Sequence, residues 1–261
     1  MDNQEERAYY LNKMSKKIEQ LEQVEGIVQI GSGVVGFSDE NSDIDLMVAS
    51  TEINNSKTAK DMIKDYFQEL NPRYIKEKQF SKEIFLLIVL LENKLEFNVS
   101  IVPRELLSVK SPLWKVIVDK TGLVTKKMAV ENAKFESQPV KYEAGFDVPF
   151  EFVYCTLDVE KALKRKNLIY ALSTLETMRA YTLYMQAMNE NKKLHQFKAY
   201  DTLDTTFIQK YLETYPETIT VESLIKSTEK LVQLFQHTLS KSSVYTMDDD
   251  LRKLLEESLF S

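Results

Sequence analysis

Only six residues separate Gly36 from Asp43, and this gap constrains the fold more than any other feature of the chain. The segment QIGSGVVGFSDENSDIDLMV, residues 29–48, carries Gly31, Gly33 and Gly36 in a G-x-G-x-x-G pattern. Glycines so spaced can form a dinucleotide-binding turn, which requires a strand, the turn, a full helix and a second, parallel strand. A helical crossover takes about ten residues or more. The gap has no room for one, so the dinucleotide reading fails on length.

Beyond the gap lies Asp43-Ile44-Asp45-Leu46 inside an apolar run, which reads as a strand from Asp43 to Val48. Side chains alternate faces along a strand, so Asp43 and Asp45 point the same way, roughly 7 Å apart. Ile44 and Leu46 point into the core. Two carboxylates on one open face suit a hard cation such as Mg²⁺, which takes a few protein oxygens and fills its shell with water and phosphate. Just upstream, Gly31-Ser32-Gly33 lets the backbone approach a phosphate closely, and the Ser32 hydroxyl with neighbouring N–H groups can donate to it.

The rest of the chain supplies the frame. Periodicity predicts a helix over residues 3–22, a strand over 25–30 and a helix over 57–70 capped by Ser56. Strands 84–91 and 95–102 are joined at Glu92-Asn93-Lys94, followed by a helical patch near Leu106, a strand over 115–119 and a helix to about 134. Residues 135–150 hold Pro139, Gly145 and Pro149 with little periodicity and read as a boundary. Beyond it come helices marked by Phe152, Cys155, Val159, Ala162 and Leu163, then 168–188 and 221–239; Gly145 is the only glycine after residue 122. The expected order is a mixed α/β half followed by a helical bundle.

Composition removes several function classes. The 43% apolar content supports a core, and 28% charged residues argue against a membrane-embedded chain. The longest apolar run, Ile84–Leu91, is too short to span a bilayer, and the N-terminus lacks a leader pattern, so the expectation is a cytoplasmic protein with no membrane partner. A net charge of −6 argues against a long nucleic-acid partner. One cysteine and two distant histidines, His195 and His237, leave carboxylates as the ligands for any metal.

These residues resemble the nucleotidyltransferase superfamily that includes DNA polymerase β. The shared pattern is an apolar residue, Gly-Ser, a gap near ten residues, Asp-apolar-Asp-apolar, and a third acid on a later strand. Here it is Ile30-Gly31-Ser32, then Asp43-Ile44-Asp45-Leu46, with Gly36 as the small residue four positions after Ser32. The arginine common just before that glycine is Val35 in this chain. Glu96 fits the third acid: Leu95, Phe97, Val99 and Ile101 alternate with Glu96, Asn98 and Ser100, so Glu96 lies on the polar face of its strand. Length, residue order and the helical second half look like the lincosamide and aminoglycoside antibiotic nucleotidyltransferases.

The resemblance implies an α+β fold, with a nucleotidyltransferase-type mixed sheet and flanking helices over residues 1–140. A helical domain over 141–261 would close over nucleotide and acceptor. It implies transfer of a nucleoside monophosphate, AMP from ATP or the equivalent from another nucleoside triphosphate, to a small-molecule hydroxyl such as an antibiotic's. Mg²⁺, with Mn²⁺ as an alternative, would be held by Asp43, Asp45 and Glu96. Glu96 would be either a ligand or the base, its pKa raised by the other two acids. A homodimer is compatible with this reading. The alternatives are nucleotidylation of a protein or RNA end, and a non-catalytic nucleotide-binding module.

Phosphate also needs cations. Lys198, in Phe197-Lys198-Ala199-Tyr200, is the candidate triphosphate contact from the second half. Lys161, Lys164 and Arg165 read as a solvated helix face, and Arg179 as a partner of Glu176. Cys155, Trp114, Tyr181 and Tyr184 read as packing residues.

Overall fold

The computed structural model describes residues 3–36, 42–139, 141–142, 144–193 and 199–258. The chain divides into two compact units, Met1–Gln138 and Pro139–Ser261.

The first unit is built on six strands: β1 (Val24–Ile30), β2 (Ile44–Ser50), β3 (Tyr74–Gln79), β4 (Phe85–Leu90), β5 (Glu96–Pro103) and β6 (Trp114–Asp119), in spatial order β3-β4-β5-β2-β1-β6. All neighbours pair antiparallel except β2 and β5, which are parallel. The short gap after Gly36 is accounted for by β1 and β2 pairing as antiparallel neighbours, which needs no crossover helix.

Helices α1 (Asn3–Glu19) and α2 (Ser56–Gln68) pack on one face of the sheet. Met14 and Ile18 of α1, and Ile63 and Phe67 of α2, meet Ile44, Leu46, Phe97 and Val99 in a single buried cluster. Phe67 and Phe97 meet edge to face at 5.0 Å. A third helix, α3 (Leu123–Ser137), packs on β1 and β6, where Val124 and Met128 join Val28 and Ala49. Ile44, Leu46, Phe97, Val99 and Ile101 are all fully buried, so the alternation read from the sequence is the one the sheet uses.

Three details depart from expectation. Ser56 does not cap α2; it is the first helical residue, fully buried, with its hydroxyl 2.7 Å from that of Ser50. The helix predicted to run to residue 22 stops at Glu19. The charged strand β3 has no counterpart among the predicted elements. It survives as an edge strand because the buried Lys60 of α2 binds Glu77 at 2.7 Å and holds the edge to the helix layer.

The second unit contains α4 (Val148–Lys164), α5 (Leu168–Asn189), α6 (Thr205–Leu212), α7 (Val221–Leu239) and α8 (Asp249–Glu257). Each begins at a side-chain cap: Asp147, Asn167, Asp204, Thr220 and Asp248 accept a backbone N–H three residues on. Phe152 and Phe235 stack at 3.7 Å in its core. Arg179 is fully buried; it donates to Glu176, to the Thr214 hydroxyl and carbonyl, and to Ser227, and lies over the Tyr215 ring. No helix among the described residues is long and apolar enough to cross a membrane.

Candidate active site

β1 ends at Ile30, and a 3-10 turn, Gly31–Val35, begins at once. Gly31 has φ +77°, in the left-handed region, and its N–H donates to the Leu113 carbonyl at 3.2 Å. That N–H is therefore engaged within the protein. Ser32 and Gly33 head the 3-10 turn, where backbone N–H groups have no partner within their own helix. They and the Ser32 hydroxyl are the donors suited to an anion at this bend.

The antiparallel register sets Asp45 opposite Ile30, so its carboxylate lies against the turn. A β-carbon added to Gly31 would sit 2.7 Å from Asp45 Oδ2, closer than real contacts allow. Gly31 thus serves two requirements: a backbone angle that L-residues rarely adopt, and room for a carboxylate.

The parallel register pairs Ile44 with Phe97 and Asp45 with Asn98. Glu96, first residue of β5, and Asp43, just ahead of β2 rather than at its start as expected, each stand one residue before the Ile44–Phe97 pair. Asp43 is exposed, while Asp45, Glu96 and Asn98 are half-buried. Burial pushes the Asp45 carboxyl up to about 6; a hydrogen bond from the Asn98 side chain works against this, and the charges of Asp43 and Glu96 add to it. The crowding expected at Glu96 is thus felt at Asp45, the group against the turn. The charges of both Asp43 and Glu96 reach Asp45.

Among the described residues, no three His, Cys, Asp or Glu side chains are gathered so that together they could hold a metal ion, so the expected set of Asp43, Asp45 and Glu96 is not assembled as a three-ligand site. Asp43 and Asp45 offer carboxylate oxygens, the donor type suited to Mg²⁺ or Mn²⁺ that fills the rest of its shell with phosphate and water. A divalent ion would offset the charges of Asp43 and Glu96, which add to the larger effect of burial at Asp45.

Asn98 is legible in the sequence only as a polar position on the open face. Its place two residues after Glu96, on the same side of the strand, is the signal that makes it a partner of the acids. Arg7 carries no such signal; its Nε donates to the Ser42 carbonyl at 2.6 Å, directly before Asp43.

The remaining candidates are dispersed. Lys198 and His195 lie outside the described residues. Lys161 pairs with Asp158 and Lys164 with Glu160 on an exposed helix face, and Arg165 is exposed there too. Cys155 is half-buried against the helical core; burial, then Glu151 and Asp158, push its thiol up to about 11. Trp114 packs beside Ile30 and donates to Asn132, and Tyr181 meets the Phe146 ring at 5.6 Å. His237 lines a hollow of about 200 Å³ with Lys210, Glu213, Lys230, Gln233 and Leu234.

The family to which the chain matches over nearly its whole length defines the class: a nucleotidyltransferase, with a nucleoside triphosphate as co-substrate. Within that class the chain belongs to the streptomycin adenylyltransferase family, whose profile matches residues 5–254. An aminoglycoside 6-adenyltransferase from Bacillus subtilis is similar over 99% of this chain and 97% of its own, at 14% identity and a TM-score of 0.45. A nucleotidyltransferase-like protein from Exiguobacterium sibiricum is similar over 88% of this chain and 74% of its own, at 10% identity and a TM-score of 0.43. Comparison with curated proteins gave no significant match.

Proposed function

We propose that this protein transfers AMP from ATP to a hydroxyl of an aminoglycoside-type antibiotic, using Asp43, Asp45 and Glu96. The observation that carries the reading is the parallel β2–β5 register, which brings Glu96 beside the two aspartates, with Asp45 pressed against the Gly31 bend. Family membership over nearly the whole chain favours a small-molecule acceptor over an RNA end or a protein.

The reaction is attack of the acceptor hydroxyl on the α-phosphorus, with pyrophosphate leaving. The Ser32 hydroxyl and the N–H groups of Ser32 and Gly33 hold phosphate oxygens at the bend. Asp43 and Asp45 would hold Mg²⁺, which when bound would supply Lewis-acid neutralisation of the phosphate charge. Asn98 keeps the Asp45 carboxylate turned toward the bend. Glu96, on the neighbouring strand, accepts the proton of the attacking hydroxyl.

The test is incubation with ATP, Mg²⁺ and a panel of aminoglycosides beginning with streptomycin, read by pyrophosphate release and by the mass gain of one AMP. Glu96→Gln is expected to bind ATP within about threefold of the parent and to lose turnover by about 100-fold or more. No mass gain on any aminoglycoside would remove the proposed acceptor class. A Glu96→Gln enzyme of parental turnover would remove Glu96 as the base.

A further inference from the structure

We propose that the first turn of α1 is a brace for the catalytic acids: Arg7 fixes the entry to β2, and Glu6, acting through Asn93, fixes the entry to β5. The inference rests on the reading of Asp43, Asp45 and Glu96 given above, and makes Glu6, Arg7 and Asn93 positioning residues.

Arg7 is charged yet buried, and its Nε–H donates to the Ser42 carbonyl at 2.6 Å. Ser42 is the residue immediately before Asp43. Glu6 Oε1 accepts from Asn93 Nδ2 at 2.8 Å, and Asn93 Oδ1 in turn accepts the Leu95 N–H at 3.1 Å. Leu95 is the residue immediately before Glu96. Both ends of the Asn93 amide are therefore in use, one toward the helix and one toward the strand.

The two anchored residues stand at equivalent places before paired strands. Ser42 lies two residues before Ile44 at the entry to β2, and Leu95 two residues before Phe97, the partner of Ile44, at the entry to β5. Adjacent helical side chains diverge by about 100°, and neighbouring strands lie about 4.8 Å apart, so consecutive residues of one turn can serve two strand entries.

The helix is a stiff base, because Met14 and Ile18 are fully buried in the sheet's core cluster. The β4–β5 turn needs such support: Lys94 follows Asn93 with φ +65°, a conformation that a residue with a β-carbon holds only under constraint. Misplacement of a reacting group by about 1 Å can lower a rate by about 100-fold, so a brace of this kind acts on turnover before it acts on folding.

The experiment uses the full chain and a swap of donor and acceptor. Asn93→Asp keeps the acceptor for the Leu95 N–H but faces Glu6 with a second carboxylate. It is expected to lower kcat by about tenfold or more with the KM for ATP within about threefold. The affinity for Mn²⁺ in the presence of a non-hydrolysable ATP analogue, read by electron paramagnetic resonance, is expected to weaken in parallel. Glu6→Gln combined with Asn93→Asp restores a donor facing an acceptor and is expected to recover most of both losses. Arg7→Met is expected to lower kcat, and Arg7→Lys, which still reaches a carbonyl, to retain most of it.

Parental kcat and Mn²⁺ affinity in Asn93→Asp would overturn the brace, as would a double variant no better than the single one. If the parent binds Mn²⁺ with the analogue but modifies no aminoglycoside, the acceptor assignment fails while the Mn²⁺ series still decides the brace. If Asp45→Ala binds Mn²⁺ as the parent does, the reading of the acids falls, and the brace with it.

Discussion

Asp45 holds its proton more tightly in the folded chain than its ordinary value of 3.8 would give, because burial beside two acids disfavours its charge. A raised carboxyl contributes stability that is complete below pH 3.8 and is lost as pH rises through about 6. Without divalent ions the protein is therefore expected to lose stability between pH 4 and pH 7. Asp45→Asn, which can still accept from Asn98, is expected to be more stable than the parent at pH 7.5, by about 1–2 kcal/mol after solvent screening at this half-buried position. Thermal unfolding of both proteins across that range measures the difference, and identical curves would show that Asp45 carries no such strain. The same variant is expected to lose transfer activity, so stability and function oppose each other at one side chain. Gly31 makes the converse case. Gly31→Ala forces a β-carbon to within 2.7 Å of Asp45 Oδ2 at a φ of +77°. The expected result is a loss of about 1–3 kcal/mol in unfolding free energy and a fall of about 100-fold in kcat. Parental turnover in that variant would mean that the bend does not set the position of Asp45.

At the scale of elements, alternation and turn chemistry made most of the sheet legible. Leu95-Glu96-Phe97-Asn98 announced which face of β5 is polar, and Asp43-Ile44-Asp45 did the same for β2. The β4–β5 hairpin was legible from its short turn, but the β2–β5 and β1–β6 pairings were not, since they join residues more than fifty positions apart and no local pattern encodes them. The edge strand β3 was hidden because Lys76-Glu77-Lys78 looks like a solvated loop; its ladder with β4 and the binding of Glu77 by Lys60 and Lys64 of α2 lie outside any local pattern. Helices α6 and α8 were missed for a different reason. Both are short, and their start signals are single aspartates, Asp204 accepting from Phe207 N–H and Asp248 from Leu251 N–H, both at 2.8 Å. A cap is a local signal that can be read without a long periodic run. Asp204→Ala is accordingly expected to cost about 1 kcal/mol, measured by urea unfolding. A change below a few tenths would mean that Phe207, buried in its own small cluster, holds α6 without the cap.

At the scale of the whole molecule, the two units differ in how their stability is built. The first buries apolar strands between helices, and its buried charges, Arg7, Glu25 and Lys60, lie at 5–7% exposure rather than fully enclosed. The second places a charge inside its core: Arg179 is fully buried, and its donors tie α5 to Thr214 after α6 and to Ser227 on α7. Losing one partner of a buried charge is costly because the remaining groups cannot be rehydrated. Arg179 therefore makes the fold of the second unit depend on contacts within residues 139–261. The first unit's core is likewise drawn from residues before 139, since its helices and its six strands all precede that point. Each unit has the size and the core of an independent folding domain. Expressed separately, residues 1–138 and 139–261 are each expected to unfold cooperatively, the second with a helical circular-dichroism spectrum. Arg179→Met is expected to lower the unfolding free energy of the second piece by about 3 kcal/mol, a change that the first piece cannot feel. A second piece that melts without a cooperative transition would show that its core, Arg179 included, is completed only by the rest of the chain.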